Sequence, residues 1–250
     1  MGTLQIVATP IGHLEDVTHR ALRVLREADW VLAEDTRRTR VLLDHFEIDQ
    51  SPTSLHAHNE TSRIARVLEA LEGEGRVALV SDAGTPLVSD PGERLVAAVV
   101  EAGHRVEAIP GPSALLTALA VAGLPTERVL FLGFLPRKAG ARKKILEGQR
   151  GRPETFVLFE SPHRVAQTLS EVASVLGERR ACLARELTKK HEEVLRDTAS
   201  ALSYACKEKP PRGECTLVIG GADEAEAMRE SQWSDQQVDD ALRSGLAESQ

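Results

Sequence analysis

The chain has 250 residues, enough for one large or two modest domains. Its residues are 42% hydrophobic and 28% charged, an ordinary globular balance, and its net charge of −7 argues against a generally cationic nucleic-acid binder while leaving room for a local basic patch. Aromatics make up 3%, so the core is aliphatic and base stacking on aromatic platforms does not dominate any nucleic-acid contact, and the scattered Cys182, Cys206 and Cys215 form no C-x-x-C pair, which indicates reduced cytosolic thiols rather than a disulfide framework or a zinc site.

In chain order, Leu4 to Ala8 reads as a buried strand ended by Thr9-Pro10-Ile11-Gly12, with no signal-peptide pattern before it. Thr18 to Glu27 has helical spacing, Trp30 to Ala33 is a strand ending at Glu34-Asp35, and Arg37 to Phe46 and Thr61 to Leu71 are helices. Val77 to Val80 and Val106 to Ile109 are strands around a helix from Gly92 to Glu101. Ser113 is a plausible N-cap for a helix from Ala114 to Val121, stopped by Gly123 and Pro125. This alternation predicts a mostly parallel α/β layer over residues 1–122.

A second α/β domain is expected over 123–221. Its strands are Val129 to Phe134, Thr155 to Phe159, Ala181 to Arg185, Glu192 to Arg196 and Thr216 to Ile219. Helices are expected within Leu135 to Gln149, from Pro162 to Leu176 and from Ala199 to Lys207. Strands that follow one another without a helix between them imply a mixed sheet. Residues 222–250 read as a polar, acidic tail with one weak stripe, Val238, Leu242 and Leu246, the start of a truncated helical module. No apolar run approaches the roughly 20 residues of a membrane span.

Two loops stand out. Ser81-Asp82-Ala83-Gly84-Thr85-Pro86 and Pro110-Gly111-Pro112-Ser113 each follow a strand and precede a helix, the position where open α/β sheets bind small molecules. Glu34-Asp35-Thr36-Arg37 puts carboxylates at another strand end, to accept from ribose hydroxyls, to act as a base, or simply to cap a helix. Glu160 and Glu186 repeat that placement, beside Arg164 and Lys189. His56-Ala57-His58-Asn59-Glu60 is a weak metal signal and reads better as a polar loop facing a substrate, or as a helix start. Between Arg137 and Arg152 lie seven basic residues and one acid, Glu147, which favours a phosphate-backbone contact over a merely solvated helix face. No P-loop, no G-x-G-x-x-G after the first strand and no nucleophile elbow occurs, which disfavours ATPase and standard dinucleotide or Rossmann methyltransferase sites.

These motifs, in this order, together with Ala8 to Asp16, Gly133-Phe134-Leu135-Pro136, Glu160-Ser161-Pro162-His163-Arg164 and Arg185-Glu186-Leu187-Thr188-Lys189, resemble the tetrapyrrole methylase superfamily. Within it the chain is similar to the bacterial 16S ribosomal RNA cytidine 2′-O-methyltransferase family, ribosomal RNA small subunit methyltransferase I. The likeness covers roughly residues 4 to 221, with His13 where the family usually has Asn. It implies a fold of two α/β domains with S-adenosylmethionine in the cleft between them, and a cytoplasmic homodimer that acts on 16S rRNA of the 30S subunit rather than on DNA or membranes. The cofactor loops it implies are Thr9-Pro10, Asp82, Ala83, Gly84, Thr85, Pro110, Gly111, Pro112, Ser113, Phe159, Glu160, Leu187, Thr188 and Glu214. The expected reaction is methylation of a cytidine ribose in the decoding region. Glu34 and Glu60 are the first candidates for proton acceptor, with Glu160 and Glu186 as alternatives and Lys189 or Arg37 orienting a phosphate. Arg137, Lys138, Arg142, Lys143, Lys144 and Arg164 are expected to hold RNA, and no resident metal is expected. A small-molecule tetrapyrrole methylase and a non-catalytic RNA-binding assembly factor are the competing readings.

Overall fold

A computed structural model describes residues 2–56 and 59–223; His58 of the His-Asn-Glu loop and the expected tail helix lie outside the described residues. The chain divides into two units, 1–118 with 186–192, and 119–185 with 193–250.

The first unit is built on five parallel strands, β1 (Thr3–Val7), β2 (Trp30–Ala33), β3 (Thr53–Ser54), β4 (Arg76–Val80) and β5 (Arg105–Ile109), in the order β3-β2-β4-β1-β5. Leu4 stands opposite Val77 on one side and Val106 on the other. Alternating side chains feed two separate apolar layers, as a sheet covered on both faces requires. Val7, Val31, Ala33, Ala78 and Val80 pack under α1 (His19–Glu27) and α2 (Thr36–His45). Leu4, Ile6, Leu32, Val77 and Leu79 pack under α3 (Glu60–Glu72) and α4 (Glu93–Glu101). Burying each large aliphatic side chain is worth about 1.5–3 kcal/mol, so register is strongly fixed. Capping sets the helix starts: Thr18 accepts from Ala21 N–H, and Asp35 accepts from Arg37 N–H. The helix α5 (Ala114–Ala122) begins where Thr117 N–H meets the Ser113 carbonyl at 2.9 Å.

The second unit carries β6 (Val129–Phe134), β7 (Thr155–Glu160), β8 (Arg180–Arg185), β9 (Glu193–Thr198) and β10 (Cys215–Ile219), in the order β6-β7-β10-β8-β9. Only the β6–β7 pairing is parallel, so the sheet is mixed. Phe156, Leu158, Leu183, Leu217 and Ile219 pack against α7 (Val165–Leu176) and α8 (Ala199–Glu208), and Leu146 of α6 (Ala139–Glu147) joins them.

Two boundaries differ from the sequence reading: the first unit ends at 118 rather than 122, and one later segment changes sides. Glu186–Glu192 was expected in the second domain but belongs with the first unit. Its anchor is local: Thr188 Oγ1 accepts from the His13 backbone N–H at 3.1 Å. No periodicity in so short a segment reveals that attachment.

Candidate active site

The loops leaving the carboxyl ends of β1, β4 and β5 are tied into one edge. Thr9 and Gly84 exchange two backbone hydrogen bonds, at 2.9 and 3.0 Å. Thr85 Oγ1 donates to the Pro112 carbonyl at 3.2 Å. Gly84 holds φ +82°, a conformation that favours glycine, and Gly111 lies so close to β1 that a Cβ there would stand 3.1 Å from the Ala8 Cβ. Thr9, Pro10, Asp82, Ala83, Gly84, Thr85, Pro110, Gly111, Pro112 and Ser113 are thus brought together in the first unit. The loop after Asp82 also holds positive φ at two residues that lack glycine's freedom, Leu87 (75°) and Ser89 (72°). Such strain persists where the surrounding structure over-determines the backbone, often at binding sites.

Glu34 joins this edge from the end of β2. Its carboxylate accepts from the Asp82 backbone N–H, and Asp82 Oδ1 in turn accepts from the Asp35 N–H at 2.8 Å. Asp90, at the far end of the same loop, accepts a hydrogen bond from Ser81. Burial, then the neighbouring charges of Asp90 and Asp82, pushes the Glu34 carboxyl above its ordinary value; the Asp82 N–H and Arg38 oppose that rise. Burial and Asp82 likewise raise Asp90, against the Ser81 hydrogen bond. The edge therefore offers a proton acceptor of enhanced basicity in an anionic setting. Asp90 escaped the sequence reading. The signal for it is an acid set directly before Pro91-Gly92 at the entrance to α4.

Other expected site residues are occupied elsewhere. Glu60 is buried, and its Oε1 accepts from the Leu95 N–H at 3.1 Å, in the first turn of α4. Arg37 is highly exposed and folds back on the N-cap, with Nε and Nη2 at 3.0 and 2.6 Å from the two Asp35 oxygens. These hydrogen bonds from Arg37 hold Asp35 at about 2. Asn59 stands at the start of α3, where its side chain accepts from the His56 N–H and donates to the Ser54 carbonyl.

Leu187 and Thr188 reach the first unit through the segment anchored at His13. Lys189 Nζ lies 3.0 Å from Glu186 Oε1, and Glu186 and Thr188 both hold positive φ. A Cβ on Gly12 would stand 2.4 Å from Lys189 Cγ, 2.7 Å from Thr188 Oγ1 and 3.1 Å from the Leu187 carbonyl. Gly12→Ala is therefore expected to displace this segment and to cost about 1–3 kcal/mol, read as a lower unfolding midpoint in denaturant. An unchanged midpoint would show that the segment yields freely.

In the second unit Phe159 is half-buried edge-to-face against Phe131, with centroids 5.0 Å apart. Glu214 lies exposed just before β10. Three expectations need correction. The Glu160 side chain is fully enclosed: it accepts from Ser161 N–H and Thr168 Oγ1 at 2.8 and 2.7 Å and pairs with Arg164 at 3.3 Å. It is no free proton acceptor, and no face of its carboxylate is open to a ligand. Arg164 is not the free cation expected, because its Nη2 donates to the Leu135 and Pro136 carbonyls while holding Glu160. Arg142 is not one either: its side chain is 2% exposed and clamps both Glu171 oxygens. Arg137, Lys138, Lys143 and Lys144 remain exposed. Among the described residues no group of three or more His, Cys, Asp or Glu is arranged to hold a metal ion. Nor is any described helix long and apolar enough to cross a membrane.

The family described as Tetrapyrrole (Corrin/Porphyrin) Methylases matches residues 3–203. The chain is 45% identical over 232 residues to "Ribosomal RNA small subunit methyltransferase I" of Halalkalibacterium halodurans, a match spanning 93% of this chain and 80% of the relative. A relative of the same name from Thermotoga maritima is 45% identical over 221 residues, 88% of this chain and 99% of its own. Among solved structures, diphthine synthase aligns with a TM-score of 0.65 at 18% identity, covering 92% of this chain and 95% of that one. Uroporphyrin-III-C-methyltransferase from Thermus thermophilus aligns with a TM-score of 0.63 at 21% identity, covering 88% and 94%. At such identities these two likenesses speak for the fold alone.

Proposed function

The chain belongs to the tetrapyrrole methylase family, and within it to the family of ribosomal RNA small subunit methyltransferase I, and on that footing we propose that it methylates the 2′ oxygen of a cytidine ribose in the decoding region of 16S rRNA. The observation that carries the chemistry is Glu34: a carboxylate at the carboxyl edge of a parallel sheet, made more basic by burial and by Asp90 and Asp82.

The proposed methyl donor is S-adenosylmethionine, and the donor set of the first unit fits it. Asp82 and Asp90, beside Glu34, create an anionic field suited to a sulfonium and an α-amino group, while Glu34 serves the proton. The loops Asp82 to Thr85 and Pro110 to Ser113 are proposed to line the cofactor, with Leu187 and Thr188 as further contacts. When bound, the cofactor supplies an electrophilic methyl group. The residues of this chain do the rest. Glu34 would take the proton of the ribose 2′ hydroxyl as the methyl passes to that oxygen and leaves the donor as a neutral thioether, and the loop edge would hold the reactants together. Proton transfer to a fixed carboxylate keeps the charge balanced without water. Arg137, Lys138, Lys143 and Lys144 are proposed to contact RNA phosphates.

A cytoplasmic homodimer acting on the 30S subunit completes the proposal. The edge strand β6 supports self-association, since it is apolar and, among the described residues, unpaired on one side, with Phe134 59% and Val129 38% exposed. The test is tritium transfer from labelled S-adenosylmethionine to 30S subunits lacking their decoding-site methylation, followed by nuclease mapping. Label is expected in 2′-O-methylcytidine. Label confined to a tetrapyrrole acceptor, or RNA binding with neither label nor cofactor affinity, overturns the reading.

A further inference from the structure

The first unit presents a cation that the sequence did not single out. Arg38, in the first turn of α2, is 60% exposed and meets Asp82 Oδ2 through Nε at 3.5 Å. Among the described residues neither of its terminal nitrogens has a hydrogen-bond partner. Its neighbours differ. Arg37 is held two-pronged by Asp35, and Arg40 donates Nη1 to the Gln50 carbonyl at 3.0 Å. Arg38 is thus tethered to the loop that carries Asp82 while its planar fork of donors points to no protein acceptor. That fork matches two phosphate oxygens better than any ammonium does.

We propose that Arg38 is a substrate-binding residue that grips a phosphate of a single RNA strand beside the ribose presented to Glu34. The choice of RNA rests on the proposed function; the exposed, unsatisfied guanidinium does not. Two further observations agree. Arg38 lies near enough to Glu34 to oppose the acidic charges around it, so a phosphate bound there lies next to the reacting edge. The chain carries a net charge of −7, so a cation open to solvent beside three acids is not a by-product of a basic surface. A phosphate on Arg38 also cancels the one cation that restrains Glu34, which Asp90 and Asp82 face from the other side. Substrate binding would then strengthen the proton acceptor.

The experiment compares the full chain with Arg38→Ala, Arg38→Lys, Arg37→Ala and Arg105→Ala. Arg105 begins β5 at the opposite, amino edge of the same sheet. Binding of a short fluorescent single-stranded RNA is titrated against salt, and methyl transfer to 30S subunits is followed in parallel. Arg38→Ala is expected to weaken RNA binding about tenfold and to flatten the slope of log affinity against log salt by about 0.7, one phosphate contact. KM for the subunit rises about as much, kcat and cofactor affinity hold, and Arg38→Lys recovers part of the loss. Arg105→Ala follows the wild type. An unchanged salt slope in Arg38→Ala, or a loss confined to Arg37→Ala, overturns the proposal. If the wild type labels no RNA but Arg38→Ala still flattens the salt slope, the functional reading fails and the phosphate grip stands.

Discussion

Glu34→Gln is expected to abolish measurable turnover while leaving cofactor affinity intact, and at the same time to make the protein more stable at neutral pH. The first half follows from its role. Removing a positioned proton acceptor costs about 10²–10⁴-fold in rate, and glutamine keeps the shape and the hydrogen bond from the Asp82 N–H. The second half follows from linkage. Burial, Asp90 and Asp82 raise the Glu34 carboxyl in the folded chain, so folding favours its protonated form more than the unfolded chain does. A raised carboxyl contributes stability that is fully present below its unfolded value and is lost as pH rises through the folded one. As pH rises through the folded value the wild type loses that contribution, whereas glutamine, which never ionises, retains it. The melting temperature of Glu34→Gln should exceed that of the wild type at about pH 7, and the two should converge near pH 4. Full activity in this variant would remove Glu34 from the chemistry, and an unaltered stability difference across that range would remove the electrostatic account. The same charges govern the rate profile. Asp90→Asn takes away one of the two acids facing Glu34, leaving Asp82 and Arg38, so the acid limb of kcat/KM should move to lower pH.

The parts of the molecule that were legible in the sequence are those that a local pattern determines. Trp30–Ala33 and Val129–Phe134 are apolar runs bounded by turn or polar residues, and both ends of each strand coincide with the expected ones. β3 was not expected, because two residues, Thr53 and Ser54, carry no periodicity and exist as strand only through β2. α7 begins at Val165 rather than Pro162, because Ser161 to Arg164 first makes a turn in which Glu160 and Arg164 are locked together. The site shows the same division. Loop composition pointed to Asp82–Thr85 and Pro110–Ser113, since glycine and proline announce their backbone demands. Side-chain employment is not announced in that way. Glu60 and Glu34 are equivalent as letters, yet one caps α4 inside the protein and the other stands beside Asp82 and Asp90 at the carboxyl edge of the sheet. Arg37 and Arg38 are adjacent, yet only Arg37 is held two-pronged by the N-cap carboxylate, while both terminal nitrogens of Arg38 stay without a partner among the described residues. A basic run likewise gives a charge count without saying which cation turns inward. In α6 the helical period does say it, since Arg142 shares a face with Leu146 and Gln149, all three buried.

Arg142 is expected to carry a large stability effect. Its guanidinium is enclosed, paired with both oxygens of Glu171, and gives Nη1 to the Pro136 and Arg137 carbonyls at 3.1 Å each. It thereby fastens the loop before α6 to α7. Replacing it by methionine takes the Arg142 donor from the Arg137 carbonyl, leaves the Pro136 carbonyl to Arg164, and leaves Glu171 with only the Gln167 amide. Breaking a buried pair from one side costs about 3–5 kcal/mol. Glu171 is 23% exposed, so water reaches part of it, and the lower end, about 3 kcal/mol, applies. The melting temperature should fall by on the order of 10 °C. The double variant Arg142→Met with Glu171→Leu should regain much of that loss, because the unpaired charge is gone. The pH dependence has a definite sign. Hydrogen bonding from Arg142 holds the Glu171 carboxyl below its ordinary value, so the pair contributes stability above the unfolded carboxyl value that is lost as pH falls through the folded one. Arg142→Met should therefore approach the wild type in acid and differ most at neutral pH. The RNA readout separates the two roles that sequence alone leaves open. Lys143→Ala with Lys144→Ala should flatten the salt dependence of RNA binding with little change in melting, whereas the folded fraction of Arg142→Met should keep the wild-type salt slope. A stable Arg142→Met with a flattened slope would return Arg142 to the surface that binds phosphate.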